Sequence, residues 1–244
     1  MGTVLTQIGK VYLVGAGPGA VELLTVKAHQ LLTTAQVLVH DALVNEELLT
    51  LVPAACEVHA VGKRGGQASW AQAEIDQLLV QLCQQSKHVV RLKSGDPFIF
   101  GRTTAEIQAL KAAGCPFEVV PGLSSATVAP LLAGIPLTDP VLSSQFTVLT
   151  AHDLEQQNWD ALAKLSVLVM LMGGRNLGEI CDRLLRHDKR PDTPVAIIRW
   201  ASQPQQQIWE GTLLNITQQT KGQKLSPCII VIGEVVGLRP YLQP

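Results

Sequence analysis

Short apolar runs alternate with longer amphipathic segments along the first half of the chain. The runs are four or five residues long and rich in β-branched side chains, as is typical of parallel strands covered on both faces. Such alternation predicts successive βαβ units and a mainly parallel sheet. The predicted strands are residues 11–14, 37–40, 57–61, 89–92 and 117–120.

Two of the intervening segments are clear helix candidates. Residues 69–86 place Ile75, Leu79 and Leu82 at helical spacing, which predicts a helix with one buried face. Residues 102–113 end at Gly114, a residue type that commonly follows the last turn of a helix.

A segment rich in Pro, Gly, Ser and Thr, residues 121–140, interrupts the alternation, which then restarts. We therefore predict two α/β domains, residues 1–122 and 123–244. Residues 207–213 alternate polar and apolar side chains, which indicates a half-exposed, antiparallel strand and hence a mixed second sheet. The other strands predicted there are residues 146–150, 167–172, 195–200 and 228–232.

Composition and charge narrow the classes of function. The 244 residues carry 19 Lys plus Arg against 20 Asp plus Glu, which gives no overall basic field for a nucleic-acid backbone. The longest apolar runs are strand-sized, and residues 1–10 contain no apolar signal core. We expect a soluble cytoplasmic protein that binds neither nucleic acid nor membrane.

Cysteine and histidine spacing indicates no metal site. The five cysteines are spread singly without a C-x-x-C pair, and the six histidines show no H-E-x-x-H or similar ligand spacing. We therefore expect no bound metal and no disulfide.

Ligands of parallel α/β sheets bind beyond the carboxyl ends of the strands, so the loops there carry the candidate chemistry. The first loop, GAGPGA at residues 15–20, satisfies the G-x-G-x-x-G/A pattern of dinucleotide-binding turns. A tight strand-to-helix turn needs the same glycines, and Pro18 lacks an amide that a pyrophosphate site would use. Asp41 opens the second loop as a candidate ribose ligand, general base or turn residue.

Two further loops carry cations. In VGKRGG, residues 61–66, Lys63 and Arg64 lie between glycines, which suits either an anionic substrate or a solvated basic turn. In VRLKSGDPFIFGR, residues 90–102, two cations share one face of the predicted strand. The aromatic residues of that loop, Phe98 and Phe100, are either ligand contacts or a hydrophobic plug at a helix entry.

The ordered motifs VYLVGAGPG, VHDALV, VGKRGG, VVRLKSGDPFIFGR, EVVPG, AGIPLT and VIGEVVGLR resemble those of the tetrapyrrole methyltransferases over almost the whole chain. VGKRGG and RLKSGDPFIFGR together resemble the branch that acts on uroporphyrinogen III rather than those acting on later corrin intermediates or diphthamide. The resemblance implies two α/β domains flanking a cleft, S-adenosylmethionine as methyl donor and a homodimer. It also implies two methyl transfers, through precorrin-1 to precorrin-2, that feed sirohaem or cobalamin synthesis.

The resemblance further implies roles for individual residues. Asp41 and Lys63 fall at the family's proton-acceptor and proton-donor positions. The candidate cations for the substrate's acetate and propionate groups are Lys63, Arg64 and Arg102, with Arg91 and Lys93 as further candidates. The implied cofactor contacts are Pro18, Ser94, Gly95, Asp96, Ile99, Ser124, Ser125, Met172 and Ala201.

Several positions depart from the family pattern. Ser94 stands where a glycine pair before Asp96 usually begins, and a positive φ there would cost a serine roughly 1–2 kcal/mol. The other departures, all from usual glycines, are Thr103, Thr104, Ala151 and Ala201.

Two other classes of protein fit part of the pattern. GAGPGA followed by Asp41 is also similar to a nicotinamide-dependent dehydrogenase, although that interpretation leaves RLKSGDPFIFGR unexplained. A regulatory or carrier module that binds a nucleotide or tetrapyrrole without turnover is the third hypothesis.

Overall fold

The computed structural model describes residues 8–62 and 70–243. Its contacts divide the chain into two compact units, Met1–Ser124 and Ser125–Pro244. The boundary that composition places between residues 122 and 123 stays a prediction.

A five-stranded parallel sheet forms the first unit. Its strands are β1 (Lys10–Gly15), β2 (Val37–His40), β3 (Glu57–Ala60), β4 (His88–Lys93) and β5 (Phe117–Val120). They lie in the order β3-β2-β4-β1-β5. All five predicted strands are confirmed, and each end agrees within one residue.

Helices cover both faces of this sheet. They are α1 (Val26–Thr33), α2 (Glu46–Leu49), α3 (Gln72–Gln84) and α4 (Thr103–Ala112). Leu79 of α3 and Leu110 of α4 pack with Val11 on one face, while Leu32 of α1 packs with Leu92 on the other. Because successive strand side chains point to opposite faces, the odd-numbered residues of β4 lie under α3 and α4.

Both helices predicted in the first half are confirmed where the structure describes them. Leu79 and Leu82 are buried on the inner face of α3, and the Glu74 carboxylate accepts a hydrogen bond from the Ala71 amide at its start, 2.6 Å away. Residue 69, the predicted first residue of that helix, lies outside the described part of the chain.

The second unit contains a mixed sheet of five strands. These are β6 (Thr147–Thr150), β7 (Leu168–Leu171), β8 (Pro194–Arg199), β9 (Gln207–Thr212) and β10 (Cys228–Ile232). Their order is β6-β7-β10-β8-β9, in which β6 and β7 are parallel and the other neighbours are antiparallel. The half-exposed strand predicted at residues 207–213 is confirmed as β9, an antiparallel edge strand.

Five helices accompany this sheet, namely α5 (Ser125–Leu132), α6 (Trp159–Lys164), α7 (Leu177–Arg186), α8 (Ile216–Gln219) and α9 (Arg239–Leu242). Met170 and Ile197 pack with Ile180 of α7 on one face, and Val169 and Ala129 belong to the cluster on the other face. Within the described ranges, no helix is long and apolar enough to cross a membrane.

Candidate active site

The carboxyl ends of the parallel strands of the first unit meet at one edge of its sheet. The connection that leaves β1 runs toward β2, whereas the one that leaves β4 runs in the opposite direction toward β5. Such a reversal opens a crevice between the two strands, and ligands of open α/β sheets bind there. The loops after β1 and β4 are therefore the segments where a ligand is expected to bind.

These two loops are joined through their backbones. Gly17 and Gly95 exchange hydrogen bonds in both directions, with N···O distances of 3.2 and 3.0 Å. A Cβ atom at Gly15 would lie 2.6 Å from the Gly95 carbonyl oxygen and 2.5 Å from the Gly122 nitrogen. Glycine is required here because three chain segments approach one another at van der Waals distance.

This packing argues against a dinucleotide-binding turn. The Gly17 amide is already bonded to Gly95, and Pro18 has no amide to offer a pyrophosphate. Helix α1 begins only at Val26, so its N-terminus does not follow the glycine loop directly as a dinucleotide site requires. Conformation and close packing explain the glycines, and the dehydrogenase hypothesis loses the feature that supported it.

Asp41 lies at the same edge, directly after β2, and both of its carboxylate oxygens are held. Oδ1 accepts a hydrogen bond from Nη2 of Arg91 at 2.5 Å, and Oδ2 accepts one from the Ser94 backbone amide at 3.1 Å. The side chain is 32% exposed. Asp41 is thus an oriented carboxylate that solvent or a ligand can reach.

Arg91 and Lys93 do share one strand face, as predicted, but the structure buries both. Glu106 of α4 is fully buried beside them and accepts hydrogen bonds from Arg91 Nε at 3.0 Å and from Lys93 Nζ at 2.8 Å. Burial is the main cause that lowers the pKa of Lys93 below its ordinary 10.5. The nearby Arg91 cation adds to that effect, and Glu106 opposes it. The expectation that these two cations bind substrate carboxylates is therefore wrong.

The loop after β4 is shaped by Asp96. Its carboxylate accepts hydrogen bonds from the Phe98 amide at 2.8 Å and from the Gly122 amide at 3.3 Å, which ties this loop to the one after β5. Phe98 and Phe100 are 62% and 45% exposed, so the hypothesis of a hydrophobic plug is wrong. Ile99, between them, is also exposed.

Backbone strain accompanies this exposed stretch. Phe100 and Arg102 have φ values of 54° and 55°, in the left-handed region that side chains other than glycine rarely adopt. Strain of this kind is concentrated at functional sites. The Arg102 side chain is exposed, and no carboxylate in the part of the chain that the structure describes forms an ion pair with it.

Ser94 does not have the conformation that would penalise a serine, because the positive φ of this turn, 71°, falls on Gly95. Its hydroxyl oxygen is nevertheless buried and has no hydrogen-bond partner among the described residues. A buried hydroxyl without a partner is unfavourable unless a ligand supplies one. This orphaned group fits a polar cofactor bound against the loop.

In the second unit, Met172 and Ala201 lie in the loops after β7 and β8. Both strands run antiparallel to β10 between them, so these two loops open at the same edge. Met172 has a φ of 60°, and Trp200 and Ser202, which flank Ala201 in the loop after β8, have φ values of 52° and 66°. The backbone at this edge is therefore strained as well. Ala201 is buried in the cluster that contains Ala126, the residue after Ser125 at the start of α5.

The predicted site residues thus fall into three groups. Those at the edge of the first unit are Pro18, Asp41, Ser94, Gly95, Asp96, Ile99 and Arg102, and that unit ends at Ser124. Those in the second unit are Ser125, Met172 and Ala201. Lys63 and Arg64 lie outside the described residues. In residues 8–62 and 70–243, no group of three or more His, Cys, Asp and Glu side chains could hold a metal ion.

Sequence reasoning missed Glu106. Thr103, Glu106 and Leu110 are the buried residues of α4, so the acid sits on the inner stripe of that helix. An acidic residue at an inward helical position, following a strand with two cations on one face, is the signal that would have found it.

Residues 10–217 match the sequence profile of the tetrapyrrole (corrin/porphyrin) methylases, and the chain belongs to this family. It is 58% identical over 233 residues to the uroporphyrinogen-III C-methyltransferase of Synechococcus elongatus, an alignment that covers 96% of each chain. It is also 43% identical to the siroheme synthase of Zymomonas mobilis, covering 96% of this chain and 50% of that one.

A solved structure has the same fold. The uroporphyrin-III C-methyl transferase of Thermus thermophilus, crystallised with S-adenyl homocysteine, superposes with a TM-score of 0.82 at 37% identity. The match covers 94% of this chain and 100% of that one.

Proposed function

We propose that the chain is an S-adenosylmethionine-dependent methyltransferase that converts uroporphyrinogen III through precorrin-1 to precorrin-2. The observation that carries this proposal is the 58% identity, along almost the whole chain, with a uroporphyrinogen-III C-methyltransferase. The edge of the first unit supports it, because an oriented and accessible carboxylate lies beside a loop with a buried hydroxyl that no described residue hydrogen-bonds. The relative named siroheme synthase supports sirohaem as one fate of the product, with cobalamin as the other.

The cofactor contacts proposed in the first unit are Pro18, Ser94, Gly95, Asp96, Ile99 and Ser124, and those in the second unit are Ser125, Met172 and Ala201. When bound, S-adenosylmethionine supplies an electrophilic methyl group on a sulfonium sulfur. The protein therefore has to align the partners and to manage a proton rather than activate a nucleophile. The Ser94 hydroxyl, which has no hydrogen-bond partner in the described part of the chain, and the strained backbone at Met172 support these contacts.

Asp41 is the proposed proton acceptor. Each methylation of a pyrrole carbon releases one proton, and a general base must lie within hydrogen-bond reach of it. The fixed orientation and partial exposure of the Asp41 carboxylate support this role. Lys63 is the proposed proton donor.

The substrate carries acetate and propionate groups, which need cations that are not already paired. Lys63, Arg64 and Arg102 are proposed for this task. The guanidinium of Arg102 is exposed and has no ion-pair partner among residues 8–62 and 70–243, which supports its assignment, since a cation with a protein partner would have to give that partner up.

A homodimer in the cytoplasm is also proposed. Light scattering coupled to size-exclusion chromatography is expected to give twice the 26.2 kDa mass of one chain. A mass of one chain at micromolar concentration would contradict the dimer.

The test of function is anaerobic incubation of the purified chain with uroporphyrinogen III and S-adenosylmethionine, followed by mass spectrometry. We expect the tetrapyrrole to gain two methyl groups. Asp41→Asn is expected to slow methyl transfer at least tenfold while S-adenosylhomocysteine still binds. Binding without any methyl gain would favour the carrier-module hypothesis, and protection against melting by NAD would revive the dehydrogenase.

A further inference from the structure

Four charged side chains form a continuous network from the interior of the first unit to the sheet edge that carries Asp41 and the loops after β1 and β4, which we call the reactive edge. Lys93 Nζ donates to both oxygens of Glu106 at 2.8 Å, and Arg91 joins Glu106 to Asp41 through Nε and Nη2. The side chains of Lys93, Arg91 and Glu106 are 2%, 3% and 0% exposed, whereas that of Asp41 is 32% exposed. Only the Asp41 end of the network reaches the surface.

Stability alone does not account for this arrangement. Well-packed apolar side chains of similar volume are commonly as stabilising as a buried ion network, or more so, because each buried charge loses its hydration. The network instead fixes the orientation of the Arg91 guanidinium. A guanidinium is planar and rigid, so a carboxylate that fixes Nε also fixes the direction in which Nη2 points.

We propose that Glu106 is a positioning residue that holds the Arg91 guanidinium and, through it, orients the Asp41 carboxylate at the reactive edge. Lys93 balances the charge of Glu106 and Arg91 balances that of Asp41, so the network of four side chains is formally neutral. The proposal rests on the role of Asp41 as proton acceptor.

The same contacts couple Asp41 to the loop after β4, which carries the proposed cofactor contacts Ser94, Gly95 and Asp96. Oδ2 of Asp41 accepts the Ser94 amide, and Ser94 is followed directly by Gly95 and Asp96. A carboxylate that turns away from Arg91 also releases that amide. Glu106 therefore fixes both the orientation of the Asp41 carboxylate and the position of the Ser94 amide at the start of the loop after β4.

Hydrogen exchange tests the positioning step without any use of catalysis. In Glu106→Gln, we expect the Ser94 amide to exchange at least tenfold faster than in the wild-type protein. The matched control is Glu118→Gln, since Glu118 pairs with Lys10 and Lys27 away from the site and should leave Ser94 unchanged. If Glu106→Gln fails to fold, Arg91→Lys, which keeps the charge but not the planar fork, decides by the same measurement.

A double-mutant cycle tests the consequence for the reaction. Glu106→Gln is expected to lower kcat for the first methyl transfer at least tenfold, with the Kd of S-adenosylhomocysteine changed less than twofold. Because Glu106 acts through Asp41, Glu106→Gln combined with Asp41→Asn should be no slower than Asp41→Asn alone. The melting temperature should fall in either case, because Glu106→Gln weakens a buried ion network, whereas a merely structural role would multiply the two kinetic effects.

The outcomes separate the two proposals. Unchanged Ser94 exchange, or multiplicative kinetic effects, overturns the positioning role of Glu106. If Asp41→Asn keeps full activity while Glu106→Gln frees the Ser94 amide, the proton-acceptor role fails and the positioning of Asp41 stands.

Discussion

Gly15→Ala is expected to disturb the packing of the loops at the reactive edge. The added Cβ would lie 2.5 Å from the Gly122 nitrogen and 2.6 Å from the Gly95 carbonyl oxygen, and both are backbone atoms. Ordinary contact begins at 3.4 Å, so the loop after β4 must move away by about 0.8 Å and the loop after β5 by about 0.9 Å. Neither can yield by a simple side-chain rotation.

The size of the effect follows from the cost of overpacking, about 1–3 kcal/mol for an inserted methyl group. In a chain of this length, each kcal/mol corresponds to roughly 2–4 °C in Tm, so we expect Tm to fall by about 2–12 °C. Because the displaced loops carry Ser94, Gly95 and Asp96, the affinity for S-adenosylhomocysteine should fall at least tenfold.

Differential scanning fluorimetry and isothermal titration calorimetry measure the two quantities. Gly237→Ala is the matched control, because a Cβ there meets nothing within 4 Å, and it should leave Tm and affinity unchanged. Gly95→Ala separates strain from contact, since its φ is 71° but its Cβ would be free, and it should lower Tm by a smaller amount. A Gly15→Ala protein with wild-type Tm and affinity would refute the packing argument.

Three further outcomes are expected. Burial raises the pKa of three thiols to about 12, so roughly one in 10⁴ is ionised at pH 8, and iodoacetamide followed by mass spectrometry should label them only after unfolding. These thiols are Cys83, Cys181 and Cys228. Hydrogen bonds from Lys10 and Lys27 lower the pKa of Glu118 below 4.5, so the stability that Glu118 contributes is present above pH 4.5 and is lost as the pH falls through its lower folded-state pKa. A surface pair of this kind is worth about 0–1 kcal/mol, and the Tm difference between wild type and Glu118→Gln should shrink over that pH range. Ser94→Ala removes a buried hydroxyl that has no partner among the described residues, so it should raise the Tm of the ligand-free protein while it weakens S-adenosylhomocysteine binding. A fall in Tm would show that the hydroxyl is satisfied within the protein.

The strands were the most predictable part of the fold. Every strand that the sequence predicted is present, because buried strands need short continuous apolar runs and such runs are visible without knowledge of the neighbours. The half-exposed character of β9 was visible in its alternation of polar and apolar side chains, whereas its position at the edge of the sheet was not. Strand order and the packing of glycine loops were not visible, since both depend on contacts distant in sequence.

The site was less predictable from sequence. The alternation of side chains along a strand correctly predicted that Arg91 and Lys93 share one face. It could not show that α4 covers that face and brings Glu106 to both cations. A cation that faces a ligand and one that faces a buried acid have the same sequence pattern. Likewise, the exposure of Phe98 follows from how the loop after β4 turns, which its composition does not reveal.

The position of β10 constrains when the second unit can assemble during synthesis. This strand, Cys228–Ile232, is the last of the five strands of this sheet to leave the ribosome, yet it fills the centre of the sheet between β7 and β8. Until then, β7 and β8 each present an unpaired strand edge, the kind of surface that templates aggregation. A nascent chain released before residue 228 would keep two open edges, whereas the sheet of the first unit is complete once residue 120 has emerged.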